Sequence, residues 1–314
     1  MIVPTIFLGF NKTCNLDCSY CFIPKELRTQ PIQPGSGIEF ARDVRDKLLS
    51  EGVIAETIVL FSAEITTYSA EEVGSIINIL HEVTPLVHMI TNGIQLSKPE
   101  YTRVLMNTVE YPENLRVQLS IDGPSEITIE NRGKLSSYSD KASVLLHMYD
   151  IETVIRCTVT NEHIGKEMEF TEWVDHIHKN RGQEINLMPV HPTTQLEANE
   201  LTWDTHKKLV EFCNNVQDTD EKVTVTSIDE VYDCNTVMWY PDGSMTGCTE
   251  IAEDKAIANW KTMSIDEIVV SRRNKYSDVP NECNECEYNS ECALSCYVHR
   301  TTNGYAYDCR KGYK

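Results

Sequence analysis

Nine residues near the start, Cys14-Asn15-Leu16-Asp17-Cys18-Ser19-Tyr20-Cys21-Phe22, constrain this chain more than any other stretch. Three thiols at i, i+4 and i+7 on a tight loop after a short apolar run can hold three corners of a cubane iron–sulfur cluster. A four-iron cluster usually takes four protein ligands, so three cysteines leave one iron open. A zinc knuckle is the competing reading, but it wants a fourth Cys or His close by, and none lies between Lys25 and Glu56.

Composition narrows the setting. The 314 residues make one large domain or two ordinary ones, and a hydrophobic content of 41% supplies a sizeable core. No run of eighteen apolar residues is present, so no membrane span is expected. The opening residues lack a basic start and a small-residue cleavage site, so no signal peptide is expected either. Twelve cysteines without an export signal point to metal binding over disulfides and to a cytoplasmic chain. A net charge of −20 disfavours nucleic acid, which needs a basic surface. Acidity suits a cationic partner, although a solubilising surface explains it equally well.

β-rich runs alternate with helical patterns through residue 190. Strands are expected at Thr5–Asn11, Thr57–Ser62, Leu86–Thr91, Leu115–Ile121, Thr153–Thr160 and Glu184–Val190. Between them the pattern gives helices at Ile38–Ser50, Ala70–Val83, Ser97–Thr108, Asp140–Tyr149 and Met168–Lys179. Ser69 with Glu72, and Ser97 with Glu100, read as capping boxes. Six such units predict parallel β/α architecture with reactive groups at the C-terminal strand ends.

The cysteine loop after a first strand, with an aromatic after its last cysteine, resembles the radical S-adenosylmethionine (SAM) enzymes. The six units resemble their partial (β/α)6 TIM-like barrel. That resemblance implies a cluster whose open iron is chelated by SAM, and reductive cleavage of SAM to a 5′-deoxyadenosyl radical. It also places Phe22 against the cofactor. Where the family has Gly-Gly-Glu after the second strand, this chain has Ser62-Ala63-Glu64, so only Glu64 carries over, toward the SAM amino group. Thr91-Asn92-Gly93 is a common family sequence and also an ordinary turn. Ser120-Ile121-Asp122-Gly123-Pro124 with Asn131-Arg132 resembles one family branch, in which the Ser meets the ribose hydroxyls and the Arg meets the SAM carboxylate. A guanidinium can grip a carboxylate bidentately. The last strand flanks the adenine in the family, which gives Met188 a place as adenine wall or core. Cys157 and Cys213 read as buried structural thiols, and His176 and His178 as surface residues.

The C-terminal third changes character. Residues 191–222 read as a bridging region with a helix at Thr202–Val216, and from 223 cysteines accumulate at Cys234, Cys248, Cys283, Cys286, Cys292, Cys296 and Cys309. An Asp-Gly hairpin at Tyr240–Ser244 would bring Cys234 and Cys248 near each other. A segment so rich in thiols and poor in apolar residues needs metal to hold it. It resembles the SPASM domain, a C-terminal extension of radical SAM enzymes with two auxiliary four-iron clusters. By that resemblance Cys283, Cys286, Cys292 and Cys309 hold the outer cluster, and Cys234, Cys248 and Cys296 the one nearer the barrel. The latter takes an oxygen ligand such as Asp229, Glu230 or Asp233, or keeps an iron open.

The expectation is therefore a barrel at 1–190, a bridge at 191–222 and a small cysteine-rich SPASM domain at 223–314. It would carry three [4Fe-4S] clusters and SAM and abstract a hydrogen atom from a substrate C–H. A flavodoxin or ferredoxin would supply electrons. A ribosomally made peptide is the first substrate class, through cross-linking, dehydrogenation or epimerisation. The chain opens at its first strand, so no leader-recognition domain is expected, and a small cationic natural product such as an amino-sugar is the alternative. A plain iron–sulfur electron carrier or redox sensor is the non-enzymatic reading. It leaves the strand-end Glu64, Ser120 and Arg132 without a task.

Overall fold

The computed structural model describes residues 2–21, 23–190, 203–226, 237–246 and 256–268. Six parallel strands alternate with helices from the start: β1 (Ile2–Leu8), α1 (Lys25–Arg28), α2 (Ser36–Ser50), β2 (Ile54–Leu60), α3 (Ala70–His81), β3 (Val87–Thr91), α4 (Pro99–Thr108) and β4 (Leu115–Ser120). Then come α5 (Ser125–Arg132), α6 (Ser139–Met148), β5 (Glu152–Val159), α7 (Glu167–Arg181) and β6 (Glu184–Pro189). Further on lie α8 (Trp203–Gln217), β7 (Val223–Val225), β8 (Val237–Trp239), β9 (Ser244–Thr246) and β10 (Ala258–Asn259). The described strands make one sheet in the order β10-β9-β8-β1-β2-β3-β4-β5-β6-β7. It ends at β10 and β7 without closing, which makes this a partial barrel.

Alternation explains how the strands are held. On β4, Leu115, Val117 and Leu119 are buried while Arg116, Gln118 and Ser120 are half-buried on the opposite face. The buried faces meet helix stripes such as Val73, Ile76, Ile77 and Leu80 of α3. Each fully buried side chain of this size stabilises the fold by roughly 1.5–3 kcal/mol. Parallel β/α units then place every strand's C-terminal end at one rim.

The expected elements form with small shifts. Ser69 caps α3 by accepting from the Glu72 N–H at 3.2 Å, but Glu72 does not complete a box. Its Oε1 instead accepts from the N–H groups of Gly35 and Gly37 at the start of α2. Ser97 is not the cap of α4: Lys98 occupies that position and Pro99 opens the helix. Pro supplies the fixed φ of a first turn and lacks a donor to cap. The Ser97 hydroxyl donates to Ile94 C=O at 2.8 Å instead.

The hairpin at Tyr240–Ser244 is present, with Gly243 at φ +93° and the Tyr240 N–H donating to Ser244 C=O at 3.1 Å. Its first strand, β8, runs parallel to β1, so the described strands from 223 onward belong to the same sheet as the barrel. Trp260 stacks on Trp239 with centroids 4.9 Å apart and also meets Phe40 of α2. Gly9 lies where β1 and β8 close up: a Cβ there would come within 2.6 Å of Met238 and 2.7 Å of Tyr240. A seventh parallel strand, β7, pairs with β6 after α8. Its three residues are too short to carry a periodic signal.

Candidate active site

The three-cysteine loop leaves the rim end of β1 and is held from three sides. From behind, the Cys14 N–H donates to Arg28 C=O at 2.9 Å, and Arg28 Nη1 donates to Leu16 C=O at 3.2 Å. Asp17 pairs with Arg28 at 2.7 Å and also with Lys25. From the end of β3, the Asn92 side-chain amide donates to Asn15 Oδ1 at 2.7 Å and reaches Cys14 Sγ at 3.8 Å. From α5, Asn131 C=O accepts from the Ser19 N–H at 2.8 Å.

All three thiols are free and half-buried. Burial first, then the Glu64 carboxylate, pushes Cys14 up to about 12. Burial likewise pushes Cys18 up to about 11. A metal bound there would take these cysteines as thiolates and release their protons. Among the described residues no group of three His, Cys, Asp or Glu is gathered tightly enough for a single metal ion.

Two wholly buried carboxylates flank the loop. Glu64, 1% exposed, follows β2. Its Oε1 accepts from the Thr66 N–H at 2.9 Å, the Thr66 hydroxyl at 2.6 Å and the Thr91 hydroxyl at 2.6 Å, and its Oε2 from the Asn92 N–H at 2.7 Å. Every one of these donors is uncharged. Burial holds this carboxyl above its ordinary range against them. Glu64 Oε2 still has room for a further donor. Just before it, the Ser62 hydroxyl oxygen is shielded from solvent and has no hydrogen-bond partner among the described residues. An orphaned buried hydroxyl two residues before a carboxylate that has only uncharged donors among the described residues fits a polar, cationic ligand.

Asp122, fully buried, follows β4 and is saturated differently. Its Oδ2 accepts from the Tyr20 hydroxyl at 2.8 Å and lies 2.8 Å from Arg132 Nε, while its Oδ1 accepts from the Thr158 N–H at 3.1 Å. Arg132, 7% exposed, also lies over the Tyr20 ring at 5.3 Å. His163 accepts from the Thr160 N–H on Nδ1 and donates from Nε2 to Asp122 C=O at 2.8 Å, which fixes the neutral Nε2–H tautomer. Gly123 follows at φ +105°, where a Cβ would meet Phe170 at 2.6 Å.

The remaining expected site residues reach the same rim. Ser120 is half-buried, aligned with Arg156 across the strands, and its hydroxyl bonds to no described residue. Met188 is half-buried with Sδ 2.8 Å from Arg156 Nη2. Phe22 and Cys234, Cys248, Cys283, Cys286, Cys292, Cys296 and Cys309 lie outside the described residues, as do Asp229, Glu230 and Asp233. Cys157 and Cys213 are buried, as expected. His176 is exposed, but His178 is half-buried and pairs with Asp220 at 2.5 Å. Helical spacing alone does not show an acid arriving from another element.

No protein-family profile matches the chain, and no curated protein does. Solved structures do. An anaerobic sulfatase-maturating enzyme, anSMEcpe with bound AdoMet and Cp18Cys peptide, superposes at a TM-score of 0.73 and 18% identity, over 99% of this chain and 95% of that one. SuiB of Streptococcus suis bound to precursor peptide SuiA does so at 0.65 and 14%, over 94% and 72%. Spore photoproduct lyase follows at 0.52 and 11%, over 70% and 76%. All three are radical SAM enzymes. This chain has their fold.

Nothing in the sequence marks out Tyr20, Ser62 or His163. Tyr20 and Ser62 stand in quoted motifs, yet nothing in a motif tells which hydroxyl is bonded and which is orphaned. His163 meets Asp122 from 41 residues away and carries no local signal at all.

Proposed function

We propose that this chain is a radical SAM enzyme that modifies a peptide, with SPASM-type auxiliary clusters on its C-terminal cysteines. The observation that carries the reading is the gathering at one rim of three free, half-buried thiols and a buried carboxylate held only by uncharged donors, with an orphaned serine hydroxyl two residues before it. Cys14, Cys18 and Cys21 would hold the cluster. Glu64 would receive the amino group of SAM, drawn by its unneutralised charge, and the free Ser120 hydroxyl would meet the ribose. Together the cluster and SAM supply one-electron cleavage and a hydrogen-abstracting radical. The protein's part is to orient these groups and to keep water out, which the packing of the loop against Arg28, Asn92 and Asn131 supports.

A peptide substrate is favoured because anSMEcpe and SuiB were both solved with peptides. The auxiliary cysteines suit an oxidative outcome, since a substrate radical must lose an electron to become a cross-linked or dehydrogenated product. A flavodoxin or ferredoxin is the natural electron source, in a cytoplasmic setting. Among the described residues no helix is long and apolar enough to cross a membrane.

Anaerobic reconstitution with iron counting and incubation with SAM and dithionite tests this. About twelve irons in the wild type and about eight in the Cys14/Cys18/Cys21→Ala variant are expected, with 5′-deoxyadenosine from the wild type alone. About four irons, or zinc, with no SAM cleavage would overturn it.

A further inference from the structure

A buried charge pair beside the cysteine loop has no task in the function proposed above. Tyr20 stands between Cys18 and Cys21 on the loop, and its hydroxyl is spent on Asp122. Asp122 in turn is paired with Arg132, whose guanidinium covers the Tyr20 ring. The chain next to Arg132 is also tied to the loop, through Asn131 C=O and the Ser19 N–H. A full positive and a full negative charge are thus locked against the loop in a medium that screens them poorly. Charges and hydrogen bonds around cluster sulfurs are what a protein uses to set cluster potential. A cation favours the reduced, more negative cluster, and an anion favours the oxidised one.

We propose that Asp122 and Arg132, coupled to the loop through Tyr20, set the reduction potential of the cluster carried by Cys14, Cys18 and Cys21, in opposite directions. The inference rests on the radical SAM reading above. Asp122 and Arg132 are positioning and tuning residues. Burial of the pair explains why the motif needs both members: either charge alone would be stranded in the protein interior.

The test is a redox titration of the reconstituted full chain, followed by the electron paramagnetic resonance (EPR) signal that the Cys14/Cys18/Cys21→Ala variant lacks. At the wild-type midpoint, Asp122→Asn should raise the ratio of reduced to oxidised cluster about tenfold, a shift of about +59 mV. Arg132→Gln should lower it about tenfold, and Arg132→Lys should return it to within about threefold of wild type. Tyr20→Phe keeps the pair and removes one hydroxyl. It leaves Asp122 less neutralised, should lower the ratio by a few-fold, and provides the test if a charge variant loses iron. Shifts of one sign in both charge variants overturn the inference, as does an unmoved potential with iron intact or a Lys variant that behaves like Gln. A wild type that holds no such cluster and cleaves no SAM overturns the radical SAM reading and takes this inference with it. A wild type that does both, with variants that fail to diverge, overturns this inference alone.

Discussion

Glu64 and Asp122 make the most instructive comparison in the molecule. Both are carboxylates at parallel strand ends, both are wholly buried, and both abut the three-cysteine loop. Glu64 is held by four uncharged donors, and burial raises it above the ordinary carboxylate range. Asp122 has its charge neutralised in place by Arg132. One end of the rim therefore holds a carboxylate with only uncharged donors among the described residues, and the other holds a pair that is electrically complete. Arg132, which family resemblance assigns to a SAM carboxylate, has the Asp122 carboxylate beside it already.

The largest effect should come from breaking the complete end. Asp122→Ala strands a buried guanidinium and should cost about 3–5 kcal/mol in urea unfolding, whereas a loss under about 1 kcal/mol would show the pair to be loosely held.

Acid should weaken the same end. Burial pushes His163 below the ordinary histidine value. Its neutral form is the one that accepts from Thr160 and holds Asp122, so its contribution is complete above about pH 6.5 and is lost as pH falls toward its depressed value. His88, pushed down to about 4 by burial and by Arg116 and Arg156, adds up to about 3 kcal/mol of loss between pH 6.5 and 4. Unfolding followed from pH 7 to 4 should show the slope, and His163→Gln with His88→Gln should flatten it.

At the open end, Glu64→Gln replaces an acceptor with a donor facing donors. A loss of about 1–3 kcal/mol in stability and at least a tenfold weaker SAM Kd by calorimetry are expected. Unchanged affinity would remove Glu64 from the ligand site. Smaller still, Ser120→Ala should leave folding intact and weaken SAM by roughly two- to tenfold, one hydrogen bond's worth.

The contrast also shows what a sequence can and cannot disclose. The β/α alternation was legible because each strand and helix carries its own period, and all six barrel strands lie where that period placed them, within a few residues. The cysteine loop was legible because its spacing is local. Glu64 and Asp122 stood in plain view in their motifs, yet their opposite electrical states were not readable. Those states depend on Thr91 and Asn92 arriving from β3 in one case, and on Tyr20 and Arg132 meeting across the rim in the other. The half-built capping box at Ser69 teaches the same lesson. Glu72 was drawn off by Gly35 and Gly37, groups 37 and 35 residues away.

The most direct test of the central claim, that three cysteines hold a cluster with one iron open to SAM, is the EPR spectrum of the reduced, reconstituted protein before and after SAM is added. If the open iron takes SAM, the signal absent from the Cys14/Cys18/Cys21→Ala variant should change its g-values on addition, while the signals common to both stay put. A spectrum unmoved by saturating SAM would contradict the account.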